Sequence, residues 1–348
     1  MPLSKIQGID GQVTSNLGRR NLIINGAMQV VQRGTVSSLT GSSYGGPDRF
    51  RLGLSGAGTH RILQSGTVPS GSGFANSWRL DCTTADTSIT SSDQISCQYR
   101  IEGQDVQQLK KGTSSAEKVT LSFWVRSSLT GTYVLELMDE DNTRHIAKTY
   151  TISQADTFEH KILTFDGDTT GVLDDDNARS LQIQWWLAAG PTYTTGTLPT
   201  SWASRVDANR AVGHNVNLAS STDNNWYLTG VQLEVGDTAT DFEHRSFGEE
   251  LLLCQRYLFN GDLQCLGSAD SAGNIGLCVQ TPVNLRANPT LVSFSSALRG
   301  ALIATATGAA FSAMVAPRVT ISVSNTGTGN TLVAGFGGSC SVHLDSEL

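Results

Sequence analysis

The stretch VTLSFWV, residues 119–125, determines the fold class of this chain. Its large apolar side chains recur mainly at every second position, and a β-strand turns alternate side chains to opposite faces. One face carries Val119, Leu121, Phe123 and Val125, and the other carries Thr120, Ser122 and Trp124. The stretch therefore predicts a strand with one face against a core.

The same alternation recurs on both sides of this stretch. It appears in QISCQYRIE (94–102), TYVLEL (132–137) and LQIQWWL (181–187), with Gly, Asn, Asp and Ser clustered between the runs. About eight such strands, without intervening helical patterns of about 10 to 15 residues, favour antiparallel pairing over alternating strands and helices. We predict an all-β chain whose main part is an antiparallel sandwich.

One helix is predicted after the sandwich. Ser246 and Glu249 have the spacing of a capping box, and the apolar run LLLCQRYLF follows them. We predict a helix over 247–259 that connects two β domains. The second domain contains strand-like fragments and an Ala-rich run at 301–317. Its core would be thin, and packing against copies of the same chain would supply the missing burial.

The predicted organisation has four parts. Segment 1–20 has few large apolar residues and should be an N-terminal attachment arm. The sandwich is expected over 21–245, the connector helix over 246–259, and a smaller C-terminal β domain over 260–348.

Composition disfavours several classes of protein. The 24 Lys and Arg residues are outnumbered by 31 Asp and Glu residues and form no basic run, so we expect no nucleic-acid partner. The sequence has neither a long apolar segment nor an apolar stretch near residue 1, so we expect no membrane insertion and no secretion signal. We expect folding in a reducing cytoplasm, with mostly free, buried thiols. A pairing among Cys265, Cys278 and Cys340 stays open.

The motifs for enzymatic or cofactor chemistry lack their structural context. Gly41-Ser-Ser-Tyr-Gly45 matches a hydrolase elbow but is flanked by turn-rich sequence, and the glycines at 327–338 do not connect a strand to a helix. The six histidines show no pairing at helical spacing, so we predict no metal site and no cofactor. Acidic runs at 139–141, 166–168 and 174–176 are expected in solvated turns. Structural calcium and a pair of glycosidase carboxylates stay open there.

The best candidate for ligand binding is aromatic. In LQIQWWL the alternation places Trp186 on the face opposite Trp185, beside Gln184, and Tyr193 and Trp202 follow in a loop. A flat indole beside amide groups suits a sugar, because a sugar ring has an apolar C–H face and a polar rim. We predict a ligand site at Trp186, Gln184, Tyr193 and Trp202. The alternative is that Trp186 packs against protein.

Eight further strings carry a family resemblance. They are MPLSKI (1–6), NLIINGAMQ (21–29), QRG (32–34), PDRF (47–50), WYLTGVQLEVG (226–236), EELLLCQRY (249–257), LRANPT (285–290) and DSEL (345–348). Together they resemble the tail-fibre and related virion proteins of tailed bacteriophages, particularly marine and cyanobacterial phages. The resemblance covers most of the chain, and it assigns the last two strings to a small β tip.

The resemblance implies a jelly-roll module similar to carbohydrate-binding modules, in a virion protein that is not an enzyme and is usually a homotrimer. The implied protein is made in the host cytoplasm, docks to other virion proteins through its N-terminal arm, and recognises a host surface polysaccharide or another receptor. It leaves open a location on the tail or on the head. The alternatives are a capsid decoration or tail connector protein with a purely structural role, and a glycan-degrading spike.

Overall fold

The computed structural model describes residues 19–269, 274–299, 306–315, 318–325 and 336–348. In these ranges the chain forms 19 strands and two α-helices. The strands are β1 (Val36–Leu39), β2 (Ser43–Tyr44), β3 (Phe50–Ser55), β4 (Thr59–Ser65), β5 (Ser77–Thr84), β6 (Gln94–Glu102), β7 (Val119–Ser127), β8 (Gly131–Asp139), β9 (Arg144–Ile152), β10 (Glu159–Phe165), β11 (Arg179–Ala189), β12 (Ala203–Ser204), β13 (Asn225–Val235), β14 (Leu258–Ala269), β15 (Asn274–Gln280), β16 (Thr290–Arg299), β17 (Ala306–Val315), β18 (Arg318–Asn325) and β19 (Phe336–Asp345). The helices are α1 (Pro191–Thr194) and α2 (Phe247–Gln255).

The first 13 strands form an antiparallel jelly-roll sandwich, as predicted. Its first sheet has the order β1-β4-β5-β13-β7-β10, and its second has the order β12-β9-β8-β11-β6-β3-β2. The chain crosses between the sheets eight times, after β1, β3, β5, β6, β7, β9, β10 and β12, which gives the jelly-roll connections. The sandwich has 13 strands rather than the predicted eight or so, in part because β1, β2 and β12 have at most four residues and show no period-two signal.

The core lies between the two sheets and follows the predicted alternation. The inward side chains of VTLSFWV are at most 5% exposed, and Phe123 meets Trp185 of the facing sheet edge to face at 5.7 Å between ring centroids. Trp78 and Trp226, on neighbouring strands of the first sheet, make another edge-to-face contact within the core at 6.0 Å. Truncating a ring in such a core costs about 3–5 kcal/mol, so these positions hold the sheets together.

Ser246 caps the helix as predicted, but the helix is shorter than predicted. The Glu249 amide donates a hydrogen bond to the Ser246 hydroxyl at 3.3 Å, and α2 ends at Gln255 rather than at residue 259. Leu258 and Phe259 instead begin β14, and both are buried. Leu258 and Phe259, which continue the helical pattern in the sequence, therefore belong to a strand that pairs with β19, where Leu258 lies opposite Asp345.

The described part of 260–348 contributes to a third antiparallel sheet, with the order β16-β19-β14-β15-β18-β17. The string DSEL, which the resemblance assigns to the tip, lies against the sandwich: Asp345 pairs with Arg33 at 2.8 Å, and Glu347 pairs with Arg33 at 3.3 Å and with Arg49. The start of β14 and the end of β19 are therefore at the base of this sheet.

Several predictions concern residues outside the described part of the chain. The arm lies there up to residue 18, and so do the side chains of Cys265, Cys278 and Cys340. The thiols of Cys82, Cys97 and Cys254 are free and buried, as predicted for most of the cysteines. The division of the chain into four segments stays a prediction.

Candidate functional site

Trp186 is completely buried, so it does not offer a stacking surface in this structure. It lies on the outer face of β11, as the alternation predicts, but the segment after β11 folds back over it. The Tyr193 ring lies 5.0 Å from the indole, and the guanidinium of Arg210 lies 5.2 Å from it. The indole nitrogen donates to the Glu136 carboxylate at 3.1 Å. The packing interpretation of Trp186 therefore fits the structure.

Of the other three predicted residues, the structure brings Tyr193 together with Trp186, whereas Trp202 and Gln184 have other partners. Tyr193 lies on α1 and covers Trp186. Trp202 packs elsewhere: its indole nitrogen donates to the Asp166 carbonyl at 2.7 Å, and the Lys111 ammonium lies 3.5 Å from its ring centroid. The cavity beside Trp202 is about 10 Å³, which is too small for a sugar. Gln184 is buried in a network of amide groups on the second sheet.

The structure instead forms an aromatic cleft on the outer face of the first sheet. We define the aromatic cleft by Phe74, Trp124, His160, Phe242 and His244. Trp124 and His160 stack at 4.9 Å with an interplanar angle of 29°. Phe74 meets Phe242 edge to face at 4.9 Å, and His244 lies against both rings. The cavity between these groups measures about 370 Å³.

Polar groups border the aromatic cleft. Ser72, Ser122, Thr240 and Asp241 contribute to its lining. Ring faces with hydroxyl and carboxylate groups around them match the apolar face and polar rim of a sugar ring. The cleft thus has the chemistry that the sequence had suggested for Trp186.

A β-bulge at Gly230 creates the space at the centre of the cleft. Gly230 has a φ of +60°, and a Cβ at this position would lie 2.6 Å from the Phe74 ring and 3.0 Å from Trp124. The pairing of β13 with β7 shifts between Thr229 and Gln232, so the bulge interrupts the ladder. Glycine is required here both for its backbone conformation and for its missing side chain.

The N-terminal turn of the sandwich holds the bulge in place. The Val231 amide donates to the Gly26 carbonyl at 3.0 Å, and the Val231 carbonyl accepts from the Asn21 side chain at 3.1 Å. The Leu233 amide donates to the Asn21 side-chain oxygen at 3.1 Å. These bonds satisfy backbone groups that lack a ladder partner at the bulge. The strings 21–29 and 226–236, which carry much of the family resemblance, are therefore direct structural partners.

Buried polar side chains of β13 fix the loop that carries Phe242 and His244. Gln232 is fully buried and accepts the Glu243 amide at 2.8 Å, while Glu234 accepts the Thr240 amide at 3.0 Å. These two side chains therefore organise a wall of the cleft from beneath.

Asp166 and the run 174–176 are exposed as predicted, but two other carboxylates of the acidic runs are buried. Asp139 and Asp168 are at most 2% exposed, and each lies 3.3 Å from the Lys111 ammonium. Arg144 contacts Asp168 at 2.7 Å, and this hydrogen bond lowers the pKa of Asp168 despite the opposing effect of burial. In the ranges that the structure describes, no group of three or more His, Cys, Asp or Glu side chains is placed to hold a metal ion. None of the helices in these ranges is long and apolar enough to cross a membrane.

Comparisons with known proteins give no family assignment. No family model and no curated protein match the chain. The resemblance to tail fibres therefore stays a prediction.

Several solved structures are similar to part of this chain at low sequence identity. A family 11 carbohydrate-binding module from Clostridium thermocellum, in complex with a mixed-linked tetrasaccharide, matches at 10% identity and a TM-score of 0.30, over 60% of this chain and 99% of its own. A putative sugar binding protein from Bacteroides thetaiotaomicron matches at 10% identity and a TM-score of 0.32, over 62% of this chain and 99% of its own. The enzymatically active domain of tailspike protein 4 from bacteriophage CBA120 matches at 13% identity and a TM-score of 0.34, over 62% of this chain, and the match spans 21% of the tailspike chain.

Proposed function

We propose that this chain is a host-attachment protein on the virion of a tailed bacteriophage, and that it binds a host surface glycan without cleaving it. The observation that carries the proposal is the aromatic cleft: five aromatic or imidazole rings border an open cavity of about 370 Å³ that also has a polar lining. Such a surface holds a sugar by stacking and hydrogen bonding, and it does not depend on opposite charge.

The proposed particle is a homotrimer whose N-terminal arm docks to other virion proteins. Several weak sites on one rigid assembly raise the apparent affinity by about a hundredfold or more without any new contact. Exposed apolar side chains on α2 support self-association: Phe247 is 56% exposed and Leu252 is 48% exposed in the single chain.

The proposal is tested with the purified chain on an array of bacterial envelope polysaccharides. The wild type should bind at least one glycan saturably, and Trp124→Ala should weaken this binding about tenfold or more, which corresponds to about 1.4 kcal/mol of stacking energy. Phe158→Ala is the matched control, because it removes a partly buried ring that packs against Tyr227 and does not line the cleft. The bound glycan should be recovered at its original length.

Two results would contradict the proposal. One is a correctly folded wild type that binds no glycan on the array, and the other is equal binding by Trp124→Ala and Phe158→Ala. A trimer by light scattering that binds other virion proteins but no glycan would instead support the structural alternative, a decoration or connector protein.

A further inference from the structure

A second cavity lies on the outer face of the second sheet, opposite the aromatic cleft. It measures about 250 Å³, and five arginines contribute to its lining. We call it the arginine pocket and define it by Arg51, Arg100, Arg179, Arg205 and Arg210. Four glutamines of β6 and β11 also line it: Gln94, Gln98, Gln182 and Gln184.

The arginines fix the orientation of two of these amides. Arg51 donates to the Gln98 side-chain oxygen at 2.6 Å, and Arg100 donates to the Gln182 side-chain oxygen at 3.0 Å. A guanidinium can only donate, so the atom that it contacts in each amide must be the oxygen. The NH₂ groups of Gln98 and Gln182 then point elsewhere.

Both of these NH₂ groups donate to the same atom, the side-chain oxygen of Gln184, each at 3.1 Å. The NH₂ group of Gln184 therefore finds no acceptor in these two amides. The Gln184 side chain is 1% exposed, and its nitrogen has no hydrogen-bond partner among the residues that the structure describes. A buried amide N–H without an acceptor costs about 1–3 kcal/mol. A ligand that places an acceptor oxygen beside the Gln184 NH₂ group would remove this cost.

The charges of the pocket are also incompletely balanced. Glu140 pairs with Arg179 at 3.2 Å and with Arg205 at 3.1 Å, and Arg210 pairs with a buried carboxylate beneath the pocket. Within the described part of the chain, Arg51 forms no ion pair with a carboxylate side chain, whereas Arg100 donates a hydrogen bond to the main-chain oxygen of Leu348. Burial, followed by the positive charges of Arg100 and Arg179, lowers the pKa of Arg51 to about 10.

We propose that the arginine pocket binds the anionic group, a carboxylate or a sulfate ester, of an acidic saccharide. Both groups offer several acceptor oxygens, and guanidinium groups bind them with two parallel hydrogen bonds. The volume is below the range of about 300–1,000 Å³ that is usual for larger ligands. The pocket therefore suits one charged sugar residue rather than a long stretch of glycan.

This inference rests on the proposed glycan binding and adds a charged ligand class on a different face. The test measures binding by calorimetry in about 0.15 M salt, where interactions between distant surface charges are largely screened. The probes are an oligogalacturonate, a sulfated oligosaccharide, a neutral dextran oligosaccharide and inorganic sulfate. The wild type should prefer one of the two acidic saccharides over the neutral one by tenfold or more, and the two acidic probes distinguish a carboxylate from a sulfate site.

Two variants test the pocket, one by removing a positive charge and one by changing the unpartnered amide. Arg51→Gln removes an unpaired cation, and Gln184→Glu places a carboxylate oxygen where the unpartnered NH₂ stands, so that the chain supplies its own anion. Each should lower affinity for the acidic saccharide tenfold or more. Arg126→Gln is the control, because it removes the same charge from β7 of the other sheet, where Arg126 pairs with Asp156 at 2.8 Å. Urea denaturation confirms that each variant is folded.

The outcomes separate the two proposals. Failure of all saccharides to bind the folded wild type in the calorimetry overturns this inference, and the array result decides the aromatic cleft independently. The alternative outcome is that the acidic saccharide binds at the cleft. In that case Trp124→Ala weakens its binding, while Arg51→Gln and Gln184→Glu bind it as well as the control Arg126→Gln does. This result overturns the pocket as the binding site and supports the cleft. Binding of inorganic sulfate without either acidic saccharide also overturns the inference.

Discussion

Replacing Glu347 by glutamine should destabilise the sandwich, although residue 347 follows the last strand of the third sheet. The Glu347 side chain is 3% exposed and contacts two arginines of the sandwich, Arg33 at 3.3 Å and Arg49. Arg49 is 1% exposed, and its guanidinium lies 3.4 Å from the centroid of the Tyr257 ring. Glutamine keeps the shape of this contact but removes its negative charge.

The expected loss in the free energy of unfolding is about 3 kcal/mol. Removing one partner of a buried ion pair costs about 3–5 kcal/mol, because the other charge is left buried without compensation. The lower end applies here, since Asp345 still pairs with Arg33 at 2.8 Å, and Arg49 still donates to the Arg100 carbonyl at 2.6 Å.

Urea denaturation followed by tryptophan fluorescence measures this loss, because all six tryptophans lie between residues 78 and 226, in the sandwich. The control is Glu117→Gln, which removes an exposed pair with Lys110 at 2.6 Å and should cost less than about 1 kcal/mol. If the two variants have equal stability, the reasoning is wrong, and the C-terminal residues do not stabilise the sandwich through this buried charge.

Three further substitutions test other parts of the structure. Gly230→Ala should lower the free energy of unfolding by about 1–3 kcal/mol in a urea titration and should weaken glycan binding, because φ at this position is +60° and the new Cβ would meet Phe74. The control is Gly236→Ala, where φ is +116° and the space around the residue is open. It should lower stability without weakening glycan binding. Burial lowers the pKa of His214 to about 4, whereas the same side chain in the unfolded chain takes up its proton near pH 6.5. The wild type should therefore lose about 2 kcal/mol of unfolding free energy through His214 between pH 8 and pH 5. The loss in His214→Gln over this range should be smaller by about 2 kcal/mol, and equal pH profiles would contradict this. Glu136→Gln should cost about 2–4 kcal/mol in the same urea assay, because Arg210, His145 and Trp186 all contact its buried carboxylate; a cost below about 1 kcal/mol would count against that role.

Period-two alternation predicted the sandwich correctly, because it reports directly which side chains share one face of a strand. It placed Phe123 and Trp185 inward, and both are fully buried. It also placed Trp186 on the outer face of β11. It could not show that α1 covers this face, because a segment that folds back over a sheet leaves no periodic signal in its own sequence.

The aromatic cleft was only partly visible for the same reason. Trp124 was assigned to the outer face of its strand, but its partners Phe74, Phe242 and His244 come from segments outside the strands. A more useful signal was the string 226–236 itself, whose Gly230 interrupts an otherwise regular apolar alternation. An isolated glycine in a strand pattern indicates a bulge or a close approach, and here it marks the centre of the cleft.

The aromatic cleft and the arginine pocket lie on opposite outer faces of the sandwich, and oligomerisation would affect them differently. Covering the rings of the cleft in a subunit contact would be favourable, whereas covering Arg51 without a carboxylate would bury an unpaired charge. In a trimer the pocket should therefore stay accessible, while the cleft is able to serve as a glycan site or as a subunit contact. Trp124→Ala distinguishes these roles by light scattering. Weaker glycan binding at unchanged mass identifies a glycan site, and dissociation identifies a subunit contact and leaves recognition to the pocket.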